Sequence, residues 1–378
     1  MNEVNPSSQP NLSSIDLGSV SSQTLVTELK RRLETSETRS LHLNSSTAQS
    51  QSTRHNVQTL QTLIVLIPLF NDWEVLEQLL FLLDEVDLPE STHLEIVVVD
   101  DYSSDPMLPS LSQQEYRQIA KVSVLRLRRN LGHQRAIAIG LSYLHQHFNP
   151  DWVVVMDGDG EDNPFEITRL LEVSSEVDHS KIIFARRSKR SEGSVFKGFY
   201  YLYRSLYHLL VGREIRVGNF SLLPARLLKN IVVISEIWNH YSAGLRRSRF
   251  PYLEVDIPRA RRLAGQPKMN LVSLVTHGLS SIAVYGDIVG TRILLSISIL
   301  LVLFCIAMIG VLAIKFFTNL AIPGWTTYAV GLLIVSCFQL ILLGTIFSML
   351  ILSTRNQFNF IPARDYQYYV DSFREIKS

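Results

Sequence analysis

Cysteine is nearly absent. Cys305 and Cys337 are the only two in 378 residues, and both fall inside long apolar runs. No disulfide framework can be built from them, which excludes a small oxidised secreted scaffold and suits a cytosolic domain. Charge of one sign is also missing: 36 Lys and Arg stand against 35 Asp and Glu, a net charge of +1. No global field recruits nucleic acid, so nucleic acid is not an expected partner. There is no GxGxxG fingerprint, which weighs against a dinucleotide cofactor, and no internal repeat. The amino terminus lacks a basic start followed by an apolar core, so it does not read as a secretory signal.

What is present divides by region. Residues 1–58 are rich in Ser, Thr, Gln and Asn, with one short helix candidate, "LVTELKRRLE". Such a segment buries too little apolar surface to offset its ordering entropy and reads as a disordered polar tail. The opposite end carries two uncharged runs, 293–314 and about 326–353, within candidate spans of about 293–315 and 326–353, each long enough to cross a hydrocarbon core of about 30 Å. The link "KFFTNLAIPGW" holds Pro323 and Gly324, suited to a turn, so the runs are expected to form a transmembrane hairpin over 293–353. Arg292 and Arg355 flank the pair while the link offers only Lys315, which places the main domain in the cytoplasm. The tail 354–378 is amphipathic and is expected to return to the main domain or to a neighbouring subunit.

Between about 59 and 265, short apolar runs alternate with amphipathic stretches. "LIVLIPLF" (63–70), "LEIVVVDD" (94–101), "VSVLRLR" (122–128) and "DWVVVMD" (151–157) read as buried strands. "WEVLEQLLFLLDEV" (73–86) and "GHQRAIAIGLSYLHQHF" (132–148) read as helices. The pattern predicts an α/β fold with a mainly parallel sheet covered on both faces. Ligands in such folds sit beyond the carboxyl ends of the strands. There the sequence is most polar: the four strands run into "PLFND", "DDYSSD", "RRNLGHQ" and "DGDGED".

The last of these clusters puts five carboxylates into "DGDGEDNPFE". Asp157 and Asp159, two apart on extended backbone, face the same way and can meet one cation. Oxygen donors in that number suit Mg²⁺ or Mn²⁺, which complete their shells with water and substrate phosphates. Paired carboxylates for glycoside hydrolysis would have to straddle the scissile bond, which neighbours on one strand end do poorly.

"LIPLFND", "VVVDDYSSD", "RRNLGHQRAIAIG", "MDGDGEDNP", "VGNFSLL" and "RRLAGQPKM" occur in the order found in family-2 inverting glycosyltransferases of the GT-A fold. The chain most resembles the polyprenyl-phosphate hexosyltransferases, the group that includes dolichol-phosphate mannose synthase and the GtrB-type enzymes. The likeness covers roughly residues 60–355. It implies a metal-assisted transfer of a hexose from a nucleotide-diphosphate sugar to a polyprenyl phosphate, within cell envelope glycan biosynthesis. It further implies that Pro68, Phe70 and Asp72 hold the base and ribose, and that one of Asp100 and Asp101 contacts the nucleotide. Asp157 and Asp159 would form the metal motif, with Glu161 beside it where the family has Gln. Arg186 would lie near the phosphates, and Arg262, Gly265 and Lys268 would close over the donor diphosphate.

One departure bears on the acceptor. The family's "GDF" reads "GNF" here, and Asn219 cannot act as a base. A phosphate acceptor, already ionised, needs none; a hydroxyl acceptor would need a base from elsewhere, such as Glu236. The stretch 194–212 alternates aromatics with Lys197 and Arg204, and with Arg186 these are the candidate acceptor-phosphate cations. It reads either as a core helix or as an interfacial one, and 266–292 as juxtamembrane helices leading into the first span. The expected setting is a multi-pass protein of a bacterial inner membrane, for which a homo-oligomer is plausible. Two other functions compete: a transferase with a different lipid acceptor, and a catalytically silent membrane scaffold, for which Asn219 and Pro267 (where the family has Ser) speak. A processive polysaccharide synthase is disfavoured, because no Trp follows an Arg as its "QxxRW" motif requires.

Overall fold

The computed structural model describes residues 60–187, 205, 207–212, 217–258, 260, 262–263, 271–355 and 360–377. The polar segment 1–58 lies outside them. The strands are β1 (Gln61–Leu69), β2 (Thr92–Asp100), β3 (Ile119–Leu127), β4 (Trp152–Val155), β5 (Ile182–Arg187), β6 (Val217–Pro224), β7 (Tyr252–Ile257) and β8 (Val370–Lys377). They form one sheet in the order β7-β5-β6-β4-β1-β2-β3-β8. β1, β2, β3 and β4 pair in parallel, as do β5 and β7; β6 and β8 run against their neighbours. The mainly parallel sheet read from the sequence is therefore present, with two reversed strands that no local pattern announced.

Continuous apolar strands require cover on both faces, and the helices supply it. Leu63, Val65, Ile67 and Leu69 of β1 pack on one side with α1 (Trp73–Asp84) and with Ile167 and Leu170 of α3 (Glu166–Glu176). Ile64 and Leu66 face the other side, against α2 (His133–His147) and against Tyr241 and Leu245 of α4 (Tyr241–Arg247). Pro68 sits where the β1–β4 ladder stops. Even-numbered groups of β1 face β4, whose last pair is Leu66–Val155, followed only by the Met156 N–H to the Leu66 carbonyl; the N–H that proline lacks is thus missing at the ladder's end and not within it.

After β7 the chain passes through α5 (Leu271–Ala283) into two long helices, α6 (Gly286–Phe317) and α7 (Trp325–Arg355). Residues 286–292, expected to end the juxtamembrane helices, instead begin α6. Its 32 residues extend about 48 Å, more than the hydrocarbon core requires. Both helices are long and apolar enough to cross a membrane, and large apolar side chains such as Ile299, Ile306, Phe338 and Ile346 lie exposed along them. Such a surface is untenable in water and marks the protein as membrane-associated. The start of α6 meets the end of α7, where Ile351 packs so close to Gly290 that a Cβ there would lie 2.7 Å from it. The pair is thus an antiparallel hairpin.

The hairpin returns the chain to the sheet. β8 adds antiparallel to β3 and covers what would otherwise be an open edge. Arg128 is gripped twice, its backbone N–H donating to the Tyr369 carbonyl and its Nε to that of Val370, each at 2.8 Å. Lys121 pairs with Glu375 at 2.6 Å. Ahead of β8, Tyr366 is 2% exposed and donates to Gln146 Oε1 at 2.8 Å. The expected return of the tail is thus to the chain's own sheet domain.

Two outcomes test this account. Tyr366→Ala leaves a cavity beneath α2 and removes the donor to Gln146 Oε1, and is expected to cost about 3–5 kcal/mol in thermal or denaturant unfolding of the solubilised chain. Asp84 accepts backbone N–H bonds from Arg117, Gln118 and Ile119. Burial raises its pKa, but those donors outweigh it and the carboxyl lies below its ordinary value. Its stabilisation is present above the unfolded pKa and lost as pH falls through the folded one. Asp84→Ala should therefore lower Tm at pH 7, and the difference from wild type should shrink in acid below about pH 4.

Candidate active site

The sheet order reverses between β1 and β4: β2 and β3 follow outward from one side of β1, while β4 lies on the other. In open α/β sheets that reversal leaves a crevice beyond the carboxyl ends of the strands. The loops at 70–72 and 156–163 rim it.

The β4 loop is built by its own carboxylates. Asp162, 4% exposed, accepts the Asp157 N–H at 2.9 Å, and Asp159 Oδ1 accepts the Glu161 N–H at 3.0 Å. The segment beyond β7 docks on this turn. Ala260 N–H donates to the Glu161 carbonyl at 3.1 Å, and Leu263 N–H to that of Asp159 at 3.2 Å. Arg262 donates to Asp159 Oδ2 at 3.3 Å. The turn requires Gly160 twice over: its φ is +77°, and a Cβ would meet Leu263 Cγ at 2.3 Å.

Asp157 is held from the other side by an ordered chain of amides. The Tyr241 N–H donates to Gln134 Oε1 at 2.6 Å, which fixes the amide so that its Nε2 faces Asn219. Gln134 Nε2 donates to Asn219 Oδ1 at 3.2 Å, and Asn219 Nδ2 donates in turn to Asp157 Oδ1 at 3.1 Å. An Asp at 219 would aim a second carboxylate at Asp157 instead of a donor. His133 Nε2 lies 2.9 Å from both Asp157 Oδ1 and Asn219 Nδ2. It cannot donate to one and accept from the other. Packing around the ring disfavours its charge, but the Asp157 carboxylate, with Asp162 and Asp159 behind it, outweighs this and raises the pKa. That selects donation to Asp157. The ring is crowded by protein yet 40% open to solvent, because the crevice is open.

Asp159 carries the opposite imbalance: burial and then the neighbouring Asp157 raise its pKa, so its anion is disfavoured in spite of Arg262. Among the described residues no group of three or more His, Cys, Asp or Glu could hold a metal ion unaided. Two hard oxygen donors from one strand end, one of them an unfavourable anion, nevertheless fit a divalent ion that draws its other ligands from water and substrate. Glu161 contributes its backbone to the turn from both directions.

At the β2 end the two carboxylates are buried. Asp100 and Asp101 are 2% and 3% exposed. Asp100 accepts the Ser103 N–H at 2.8 Å, while Asp101 accepts those of Leu131 and Gly132 at 2.7 and 2.8 Å. Burial, outweighing these two donors, raises the Asp101 pKa. Both carboxylates thus shape loops. The loop they shape is also tied to β1: Asn71 Oδ1 accepts the N–H groups of Ser104 and Asp105, and the Asn71 N–H donates to Ser103 Oγ. Asp72 precedes α1 and its carbonyl accepts the Leu76 N–H, while Phe70 is 42% exposed at the rim. Pro68 is buried, and its carbonyl backs the β4 turn at Gly158.

Arg186 is the penultimate residue of β5, on the same edge, but its guanidinium forks onto Asp256 at 2.5 and 2.6 Å, with Glu254 at 3.7 Å. Glu236 lies 3.6 Å from Arg247, which also reaches Asp287 and the Val284 carbonyl. Lys197, Arg204, Gly265, Pro267 and Lys268 lie outside the described residues. The structure therefore brings together Asp157, Asp159 and Arg262, and adds Gln134 and Asn219 as an orienting pair. His133 and Gln134 stand at the helix start that the sequence places near the same rim.

Gly160→Ala is expected to destabilise the fold by about 1–2 kcal/mol from backbone strain alone. The clash with Leu263 should also detach Arg262 from Asp159, which increased proteolysis within 259–263 would report.

Residues 64–228 match the Glycosyl transferase family 2 domain. An uncharacterized glycosyltransferase of Bacillus subtilis, YkcC, is 27% identical over 75% of this chain and 86% of its own length. An undecaprenyl-phosphate 4-deoxy-4-formamido-L-arabinose transferase of Edwardsiella ictaluri is 26% identical over 61% of this chain and 74% of that protein. The crystal structure of glucosyl-3-phosphoglycerate synthase from Mycobacterium tuberculosis, in complex with Mn²⁺, UDP-glucose and phosphoglyceric acid, aligns with a TM-score of 0.43 at 16% identity, over 61% of this chain and 80% of that one. Residues 64–228 thus form a Glycosyl transferase family 2 domain on this mainly parallel sheet, and relatives named as glycosyltransferases support that activity for the chain.

Proposed function

We propose that the protein transfers a hexose, with inversion, from a nucleotide-diphosphate sugar to a polyprenyl phosphate at the cytoplasmic face of a bacterial inner membrane. The observation that carries this reading is the Asp157–Asp159 pair at the sheet's switch point, with an amide rather than a carboxylate at Asn219 beside it. A relative named for undecaprenyl phosphate and the apolar hairpin support the lipid acceptor.

The residues divide the work as follows. Asp157 and Asp159, with Glu161 alongside, would hold Mg²⁺ or Mn²⁺, which when bound neutralises charge on the leaving diphosphate. Arg262 already lies on Asp159 and turns to the diphosphate when the donor enters, with Gly265 and Lys268 following in the same segment. Phe70 and Asp72 receive the nucleoside side of the donor, with Pro68 and the Asp100–Asp101 pair holding the loops that form its wall. Arg186 meets phosphate by exchanging Asp256 for it, and with Lys197 and Arg204 forms the basic side for the acceptor.

Neither position considered as the base for a hydroxyl acceptor offers one. Asn219 is a donor, and Glu236 is committed to Arg247. A lipid monophosphate is an anion before it arrives and needs orientation only. The return of β8 to β3 supports a hairpin with both ends on the domain's side of the membrane, and the flanking Arg292 and Arg355 support the cytoplasm for that side.

Membranes containing the protein, incubated with radiolabelled nucleotide sugars and Mn²⁺, should transfer label into an organic-soluble lipid that mild acid releases. Asp159→Ala should lower that transfer at least about 100-fold. Label in an acid-stable lipid would point to a hydroxyl acceptor, and no transfer with any sugar would leave the silent scaffold.

A further inference from the structure

Tyr102 is the outward member of the β2 end. Asp100 and Asp101 before it are buried, whereas Tyr102 is 50% exposed. Its φ is +63°, a left-handed conformation that a bulky aromatic adopts rarely and at a cost. Nothing about the turn requires a side chain there, since glycine would meet the same backbone need without strain. The strain is held in place on several sides. Asp100 accepts the next residue's N–H, and Asn71, itself at φ +52°, fastens residues 103–105 to the β1 loop. The guanidinium of Arg126 on β3 lies 5.7 Å from the centre of the Tyr102 ring, and its Nε is 3.9 Å from Asp100.

The position of this ring matters. β2 neighbours β1 on the side away from β4. A donor whose diphosphate meets Asp157 and Asp159 at the β4 end therefore extends its nucleoside along the β1 and β2 ends, toward Phe70 and Tyr102. A half-open aromatic ring supported by a guanidinium is a stacking surface suited to a flat, electron-poor heterocycle. Strained residues of this kind collect at ligand sites, where the surrounding bonds over-determine them.

We propose that Tyr102, backed by Arg126, is a nucleobase-stacking residue of the donor site. The inference rests on the nucleotide-sugar reading given above. The test uses the solubilised full chain with Mn²⁺ and three probes: UDP, GDP and inorganic pyrophosphate, the last lacking a base. Tyr102→Ala should weaken the preferred nucleotide about tenfold or more and leave pyrophosphate unchanged, while Tyr102→Phe stays within about twofold. Tyr102→Gly should raise Tm, because it relieves the backbone, and yet weaken the nucleotide like the alanine variant. A purely structural role would not produce that opposition. Unchanged nucleotide affinity in the alanine or glycine variant, or an equal loss for pyrophosphate, would overturn the inference while leaving the donor reading intact. Wild-type protein that binds neither nucleotide would overturn both.

Discussion

The molecule is organised around a repulsion. Asp157 and Asp159 leave one buried strand in the same direction, and the fold must make that pairing tolerable before it can use it. It does so from two sides with different chemistry. Arg262, carried on the segment after β7, sets a full positive charge against Asp159. Asp157 instead receives donors, from His133 and from the amide of Asn219. The asymmetry leaves Asp159 as the disfavoured anion, raised by burial and by its neighbour. That is a site poised for added positive charge, and it accounts for carboxylate crowding that would otherwise weaken the loop.

The same loop shows why the surrounding segments are arranged as they are. Gly160 lets Leu263 approach, Leu263 and Ala260 bond to the turn's carbonyls, and Arg262 is thereby delivered. On the far side the orientation of Asn219 is decided by a backbone N–H in a different helix, reaching it through Gln134. A substitution that by sequence looks like the loss of a base is therefore a gain of a donor, and it lowers the negative charge of the crevice by one.

The hairpin and the sheet constrain each other. β3 would be an open edge if the chain ended with α7, and β8 closes it only because the two long helices bring the chain back. Membrane anchoring and folding of the catalytic domain are in this sense one problem, with Tyr366 and the aromatic cluster around Tyr143 and Phe373 at the join.

Much of this was legible in the residues. Runs such as "LIVLIPLF" and "LEIVVVDD" can only be buried strands, because apolar residues on successive positions face both sides of a sheet. Their polar ends had to converge once the strands were parallel, so the clusters at 70–72, 100–105 and 157–162 marked the rim directly. Two uncharged runs joined by a Pro-Gly link required a hairpin on length and hydropathy alone. What tertiary structure decided are the long-range pairings. Asp100 and Asp101 stand out as an acidic pair in one dimension, and only the fold shows that both are buried and hold loops through backbone N–H groups. Arg186 and Glu236 acquired partners 70 and 11 residues away, and β8 found β3 across some 250 residues. Local composition states which groups carry charge or shun water. Which of them is left facing a ligand depends on what the chain packs against it, and only the folded structure supplies that.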